Sequence, residues 1–286
     1  MTTDFDVLLD GLLFPESPRW HQGSLWFSEK RAGRVVRLDP DGRIEAQLDV
    51  DGEPGGIGWA SDGGMLAVSM QHRTIVRVSP NGATTTHADL GPLTTYRCND
   101  MVVDQRGNAY VGDFGYNMAA GEPAAAGVLV LAPASGRPAE IVADDLHFPN
   151  GAVVTPDGST LIVAESAANR LTSFAIDEDG RLNDRHEWAA LGAVVPDGIC
   201  LDAEGAVWVA DPLGNQVVRV REGGEILQVI ATDQGSFACE LGGHDGRTLF
   251  VCTYDAAASA SPTPTPVGAI IATRVDVPRT SSIPEG

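Results

Sequence analysis

The sequence predicts an all-β, six-bladed β-propeller, and three observations predict it. A Gly-bearing turn recurs six times, centred on Gly23, Gly63, Gly107, Gly158, Gly205 and Gly246, at spacings of 40, 44, 51, 47 and 41 residues. That period belongs to four-stranded blades. Each turn is followed by a triplet suited to a pleated surface, and a further apolar strand follows each triplet.

The triplets are Leu25-Trp26-Phe27, Leu66-Ala67-Val68, Ala109-Tyr110-Val111, Leu161-Ile162-Val163, Val207-Trp208-Val209 and Leu249-Phe250-Val251. The later strands are expected at 35–38, 75–78, 128–131, 171–174, 217–220 and 270–273. Several lead into new turns such as Asp39-Pro40-Asp41-Gly42 and Ser79-Pro80-Asn81-Gly82. The apolar segment 5–9 has no partner within the first repeat, so it is expected to supply the outermost strand of the last blade and latch the ring. Residues 256–266, AAASASPTPTP, read as a surface loop with extended Pro segments inside the sixth blade, and 279–286 as a flexible tail. The whole chain, 1–286, is read as one domain, since each blade buries its faces against its neighbours.

Composition narrows the partners. The chain carries 19 Lys and Arg against 39 Asp and Glu, a formal net charge of −20. Nucleic-acid backbones and anionic membrane surfaces are repelled at long range by such a charge, so neither is an expected partner. No apolar run is long enough to span a bilayer, and the start, Met1-Thr2-Thr3-Asp4-Phe5-Asp6, is acidic where a secretory leader would be basic; cytoplasmic residence is the expectation. Cys98, Cys200, Cys239 and Cys252 show no CxxC spacing and fall in expected strands, which predicts buried free thiols.

The polar residues keep the same phase as the turns. Eight positions before four of the turn glycines stand Gly55, Asn99, Asn150 and Asp197; seven before Gly23, whose turn is one residue shorter, stands Glu16. The first strand of a propeller blade lines the central channel, so in-phase residues at its start form a ring at one mouth. Pro15, Pro149 and Pro196 stiffen three of these approaches. Asn-Gly and Asp-Gly can simply mark turns, yet turn residues have no reason to hold one distance from another turn in blade after blade. The second strand returns to the same mouth, where Glu29, Asp113, Glu165 and Asp211 stand; strand ends are often polar, and Asp113, on the hairpin that carries Arg97 and Asn99, is the best candidate among them for substrate contact.

Converging carboxylates repel and lose hydration, a cost that a bound cation removes. An all-oxygen set of one Glu, one Asp and one Asn suits one hard divalent ion, calcium first, then magnesium or manganese, with zinc a lesser fit for want of His or Cys. Three protein ligands leave coordination positions open, as in catalytic sites. No GxSxG, P-loop, GxGxxG or HExxH pattern occurs.

These motifs resemble the regucalcin-like family, which includes senescence marker protein, gluconolactonase and luciferin-regenerating enzyme, along essentially the whole chain. The resemblance rests on Pro15-Glu16-Ser17-Pro18, Arg97-Cys98-Asn99-Asp100, Pro149-Asn150-Gly151 and Pro196-Asp197-Gly198. It implies that Glu16, Asn150 and Asp197 hold one divalent metal ion, that Arg97 and Asn99 contact substrate, and that Asp197 acts as general base in opening a lactone. Some lactonase members carry a substrate-contacting Glu where this chain has Asn117, so that role passes to Asp113 or the substrate is not an aldonolactone. The small-molecule substrate is therefore a lactone or ester. An organophosphate-type ester at the same ion, or a non-catalytic ligand-binding propeller, is the alternative.

Overall fold

The computed structural model describes residues 5–79, 81–117, 120–259 and 262–280. Six four-stranded antiparallel sheets follow one another around a ring, as the repeat predicted. From the channel outward, blade 1 runs Pro15–His21, Ser24–Glu29, Arg34–Leu38 and Ile44–Asp49. Blade 2 runs Pro54–Trp59, Met65–Ser69, Thr74–Val78 and Thr84–Asp89. Blades 3 and 4 begin at Cys98–Val103 and Pro149–Val154 and end at Glu140–Leu146 and Leu182–Ala190. Blade 5 spans Ile199–Leu201 to Ile226–Ala231. Blade 6 takes three strands from the C-terminal part, Gly235–Gly242, Thr248–Tyr254 and Gly268–Arg274. Its fourth is Asp6–Leu12, paired antiparallel with Gly268–Arg274 through Asp6↔Ala272, Val7↔Ile271, Leu9↔Ile270 and Leu12↔Gly268. The unpartnered N-terminal segment thus closes the ring.

Side chains alternate across each second strand, and this sends them into opposite seams. Val207 and Val209 pack with Ile162, Ala164 and Leu171 of blade 4, while Trp208 between them packs with Leu249 and Val251 of blade 6. The other four seams are filled the same way: Trp20 and Phe27 against Phe250 and Ile270, Val35 against Ile57 and Ala67, Leu66 and Val68 against Val111 and Val130, and Tyr110 and Leu129 against Leu161 and Val163. The core is therefore six inter-blade seams around a ring. The four cysteines are free and buried.

Two details qualify the reading from sequence. The 256–266 loop starts with a short helix, Ala256–Ser259, because the Asp255 carboxylate accepts from the backbone N–H groups of Ala257 and Ala258 and caps the turn; residues 260 and 261 lie outside the described residues. At the expected tail, Arg279 is bridged to Asp202 and donates its N–H to the Gly246 carbonyl, while 281–286 lie outside the described residues, as do Pro80 and residues 1–4. Among the described residues no helix is long and apolar enough to cross a membrane.

Candidate active site

Strand register sets the level of the polar ring. Pro15 pairs with Glu29, Pro54 with Ser69, Cys98 with Asp113 and Pro149 with Glu165, each at the end of a second strand. The next residue along each inner strand is Glu16, Gly55, Asn99 or Asn150, so all four stand at one height in the channel. Asp197 joins them, its N–H donating to the Ala210 carbonyl beside Asp211. A regular fold thus delivers residues far apart in sequence to one mouth.

The glycines after these positions have a packing cause. A Cβ on Gly151 would lie 2.7 Å from the Asp197 carbonyl and from Gly198 Cα, and one on Gly198 would lie 2.5 Å from Ala238 Cβ. Neighbouring inner strands touch backbone to backbone here, and only glycine permits that approach. Asn150-Gly151 therefore belongs to a strand in contact with its neighbour and marks no turn. Phe14, Glu53 and Phe148, each just before a proline, have φ of 94°, 63° and 59°. Such positive φ at residues other than glycine is strained, and here it concentrates at the mouth.

The ring is bonded across blades. Asn99 Nδ2 donates to Asn150 Oδ1 at 3.0 Å, and Asn150 Nδ2 donates to Ser166 Oγ at 3.2 Å. Burial pushes the Asp197 carboxyl well above the ordinary range and neighbouring Glu16 pushes it the same way, against the pull of Lys30 and of a side-chain hydrogen bond from Asn150. Desolvation dominates at Glu16 and carries its carboxyl up to about 7, with Lys30 pulling down and Asp100 pushing up. Asp197 Oδ1 is buried without a hydrogen-bond partner. Glu16, Asn150 and Asp197 are thus brought together.

Among the described residues no three His, Cys, Asp or Glu side chains cluster tightly enough to hold a metal ion by themselves. The donor set at the mouth is instead two carboxylates and an amide oxygen, all hard, with one buried oxygen lacking a donor. Such a set fits a hard divalent cation, whose charge would offset both carboxylates.

The substrate candidates divide. Asn99 is in the ring, and Arg97 stands half-buried at its edge, its Nη1 2.6 Å from Glu53 Oε2 and its guanidinium 6.0 Å from the Tyr96 ring. Asp113 is placed differently from the expectation: it is 1 % exposed, and its carboxylate accepts from the backbone N–H groups of Thr95, Tyr96 and Val128 at 2.9, 3.3 and 3.0 Å. Both its oxygens are committed to backbone, so it fixes the turn that presents Arg97. The same clamp recurs where Glu29 accepts from Leu13 N–H, Glu165 from His147 N–H and Asp211 from Val195 N–H. Asn117 is turned into its own loop, Oδ1 accepting from Ala120 N–H at 3.1 Å.

Three residues at the mouth were not singled out from the sequence. Glu53 lies two places before Gly55, out of phase. Asp100, beside Asn99, accepts from Ser17 Oγ and Arg19 Nη2 across the channel. Lys30 is the only lysine in the chain, a signal that was available.

Residues 14–255 match the family described as the SMP-30/gluconolactonase/LRE-like region, which covers most of the chain, including blades 1 to 5 and two strands of blade 6. The chain belongs to the SMP-30/gluconolactonase/LRE-like family. Within it, the 6-deoxy-6-sulfogluconolactonase of Pseudomonas putida is 27 % identical over 279 residues, covering 92 % of this chain and 91 % of that protein. The regucalcin of Xenopus laevis is 25 % identical over 245 residues, 82 % of this chain and 81 % of its own length. A crystal structure of a calcium-binding regucalcin from Agrobacterium tumefaciens superposes with a TM-score of 0.81 at 20 % identity, covering 99 % of this chain and 98 % of that one. That likeness shows the shared propeller.

Proposed function

We propose that this member of the SMP-30/gluconolactonase/LRE-like family is a lactonase that holds one divalent cation, calcium before magnesium, manganese or zinc, between Glu16, Asn150 and Asp197. The observation that carries the reading is the pair of buried carboxylates at the mouth, with Asp197 Oδ1 lacking a donor, next to Arg97 and Asn99. Similarity to a sulfogluconolactonase in Pseudomonas putida and to a calcium-binding regucalcin in Agrobacterium tumefaciens supports it.

A cation held there supplies Lewis-acid stabilisation of the negative charge that develops on the lactone carbonyl oxygen. The chain's own residues do the rest. Asp197 takes the proton of the attacking water and returns it to the ring oxygen as the acyl C–O bond breaks. Arg97, steadied by Glu53, and Asn99, steadied by Asn150, hold the polar atoms of the ring. Asp113 sets the Thr95–Tyr96 backbone from which Arg97 projects.

The test is base consumption in a pH-stat over sugar, aliphatic and aryl lactones, with and without added divalent cation. Turnover should appear with the cation, vanish on chelation and return on its restoration. Silence over the whole panel at saturating cation would replace the lactonase with a ligand-binding propeller; full turnover after exhaustive chelation would remove the cation from the mechanism.

Stability offers a readout that needs no substrate. The Glu16 carboxyl is raised in the folded chain from 4.5 to about 7, so the unfolded state ionises first as pH rises. The contribution of Glu16 to the folding stability of the cation-free protein should therefore be fully present below about pH 4.5 and be lost as pH rises through about 7. Glu240, also raised to about 7 by burial deeper in the channel, adds its own fall. Excess calcium should remove the Glu16 share and leave that of Glu240, which thermal melts at pH 4.5 and 8 with calcium or chelator would separate. Identical melts with calcium and chelator at pH 8 would count against the site.

A further inference from the structure

Lys30 stands at the mouth in the place that Ser166 takes in blade 4, the first residue of a 3₁₀ turn after the second strand, so the blade repeat explains its position but not its charge. It opens a short 3₁₀ turn, Lys30–Ala32, that Gly33 ends in the left-handed region at φ 69°, and its N–H donates to the Phe14 carbonyl at 3.0 Å. Its ammonium nitrogen lies 5.1 Å from the centroid of the Phe14 ring and 5.9 Å from that of Phe114. Phe14 belongs to blade 1 and Phe114 follows the second strand of blade 3, so an ammonium near both hangs over the mouth. Both rings are fixed from behind: Phe14 by Phe237 and Tyr254 at 4.8 and 4.7 Å, and Phe114 by the stacked Phe148 at 4.6 Å. The charge is therefore held in position by cation–π contact.

Nearby arginines are engaged. Arg97 pairs with Glu53, Arg34 with Glu29 and Arg170 with Glu165, while Lys30 forms no ion pair among the described residues. Glu16 and Asp197 feel its field but lie beyond ion-pair distance. With a divalent cation between those two carboxylates, as the proposed function has it, their charges are offset and the charge on Lys30 is left over. A positive charge fixed against apolar rings, close enough to act on Glu16 and Asp197, favours an anion over the mouth.

We propose that Lys30 is a specificity residue that selects a lactone carrying a fixed anionic group, a carboxylate or a phosphate, which pairs with its ammonium over the mouth. This inference rests on the lactonase reading for its substrate, and its test separates the two. Glucaro-1,4-lactone, with a carboxylate, and 6-phosphoglucono-δ-lactone are compared with neutral glucono-δ-lactone in the wild type, Lys30→Met and Lys30→Arg. The wild type should prefer an anionic lactone, with the preference shrinking as salt is added. Lys30→Met should lower the anionic-to-neutral ratio of kcat/KM by about tenfold, mainly through KM, and Lys30→Arg should keep most of it. The ratios for the two anionic lactones distinguish carboxylate from phosphate. A ratio unchanged in Lys30→Met, or an equal loss on neutral and anionic lactones, overturns the proposal. If the wild type opens none of the three, calorimetry with glucarate and gluconate at excess calcium decides Lys30, while the lactonase reading stands or falls on the full pH-stat panel. Tighter glucarate binding that is lost in Lys30→Met supports the anion site; equal binding by both proteins, or none, overturns it.

Discussion

Asp197→Asn is expected to lower kcat on the best lactone of the pH-stat panel by roughly 10² to 10⁴-fold, the contribution of a positioned general base. The change is nearly isosteric, so the inner strand and its contact with Gly151 should survive. Its effect on stability should have the opposite sign. Burial and Glu16 raise the Asp197 carboxyl well above the ordinary range, so at pH 8 its ionised form costs the cation-free fold free energy. A neutral amide removes that cost and the repulsion on Glu16. The cation-free variant should therefore melt higher than the wild type at pH 8, and gain less from added calcium. Reduced turnover with raised thermal stability is the signature of a site that holds an unfavourable charge for function. Lower turnover with a matching loss of melting temperature would mean that Asp197 is structural.

The parts of the fold that were legible in the sequence are those whose burial forces a pattern. Second strands fill two seams at once, so they read as runs such as Leu161-Ile162-Val163, and the third strands repeat the signal about ten residues later in four of the six blades. Apart from the N-terminal latch, outermost strands were illegible: Thr84–Asp89 is exposed along nearly all its length, and no core imprints a period on it. Inner strands were hidden for another reason. Their glycines and prolines read as breakers, while in the ring the glycines permit strand contact and Pro15, Pro54 and Pro149 stand where their strands begin.

Phase located the height of the mouth but could not assign roles there. Glu16, Asn150 and Asp197 stand seven or eight residues before their turn glycines; Glu29, Asp113, Glu165 and Asp211 stand six or seven after theirs, and their carboxylates clamp backbone N–H groups. A repeated position records a repeated need, and the need of every blade is to fix the loop that enters it. Only the set of hydrogen-bond partners separates Asp113, saturated by backbone, from Asp197, with an oxygen left over. Lys30 and Glu53 stand at repeated positions, those of Ser166 and of Phe14 and Phe148, and were passed over because the repeat fixes a place and not a residue type, although an unusual residue at a shared place is where a chain individualises its scaffold.

Gly56→Ala tests the packing of the ring without touching a predicted ligand. Gly56 lies in blade 2, beside Gly55, the one ring position among the five without an oxygen-bearing side chain. A Cβ there would overlap the Met101 backbone nitrogen and lie 2.6 Å from Met101 Cβ and 2.7 Å from the Asp100 carbonyl carbon. Those atoms belong to the inner strand of blade 3, so relief requires two blades to part at the axis, against the seam packed by Leu66, Val68, Val111 and Val130. Overpacking against backbone has no flexible side chain to absorb it, and the expected loss is about 3 kcal/mol or more, roughly 6 °C or more in Tm for a domain of this size. Gly63→Ala is the internal comparison: its φ is 80°, but no atom lies within 4 Å of the added Cβ, so only backbone strain of about 1 kcal/mol is expected. If the two variants melt together, the inner strands are not in the contact that brings Glu16, Asn150 and Asp197 to one mouth. If Gly56→Ala is much the weaker, its damage should also reach the mouth, because Asp100, pushed from behind, accepts from Ser17 and Arg19 beside Glu16.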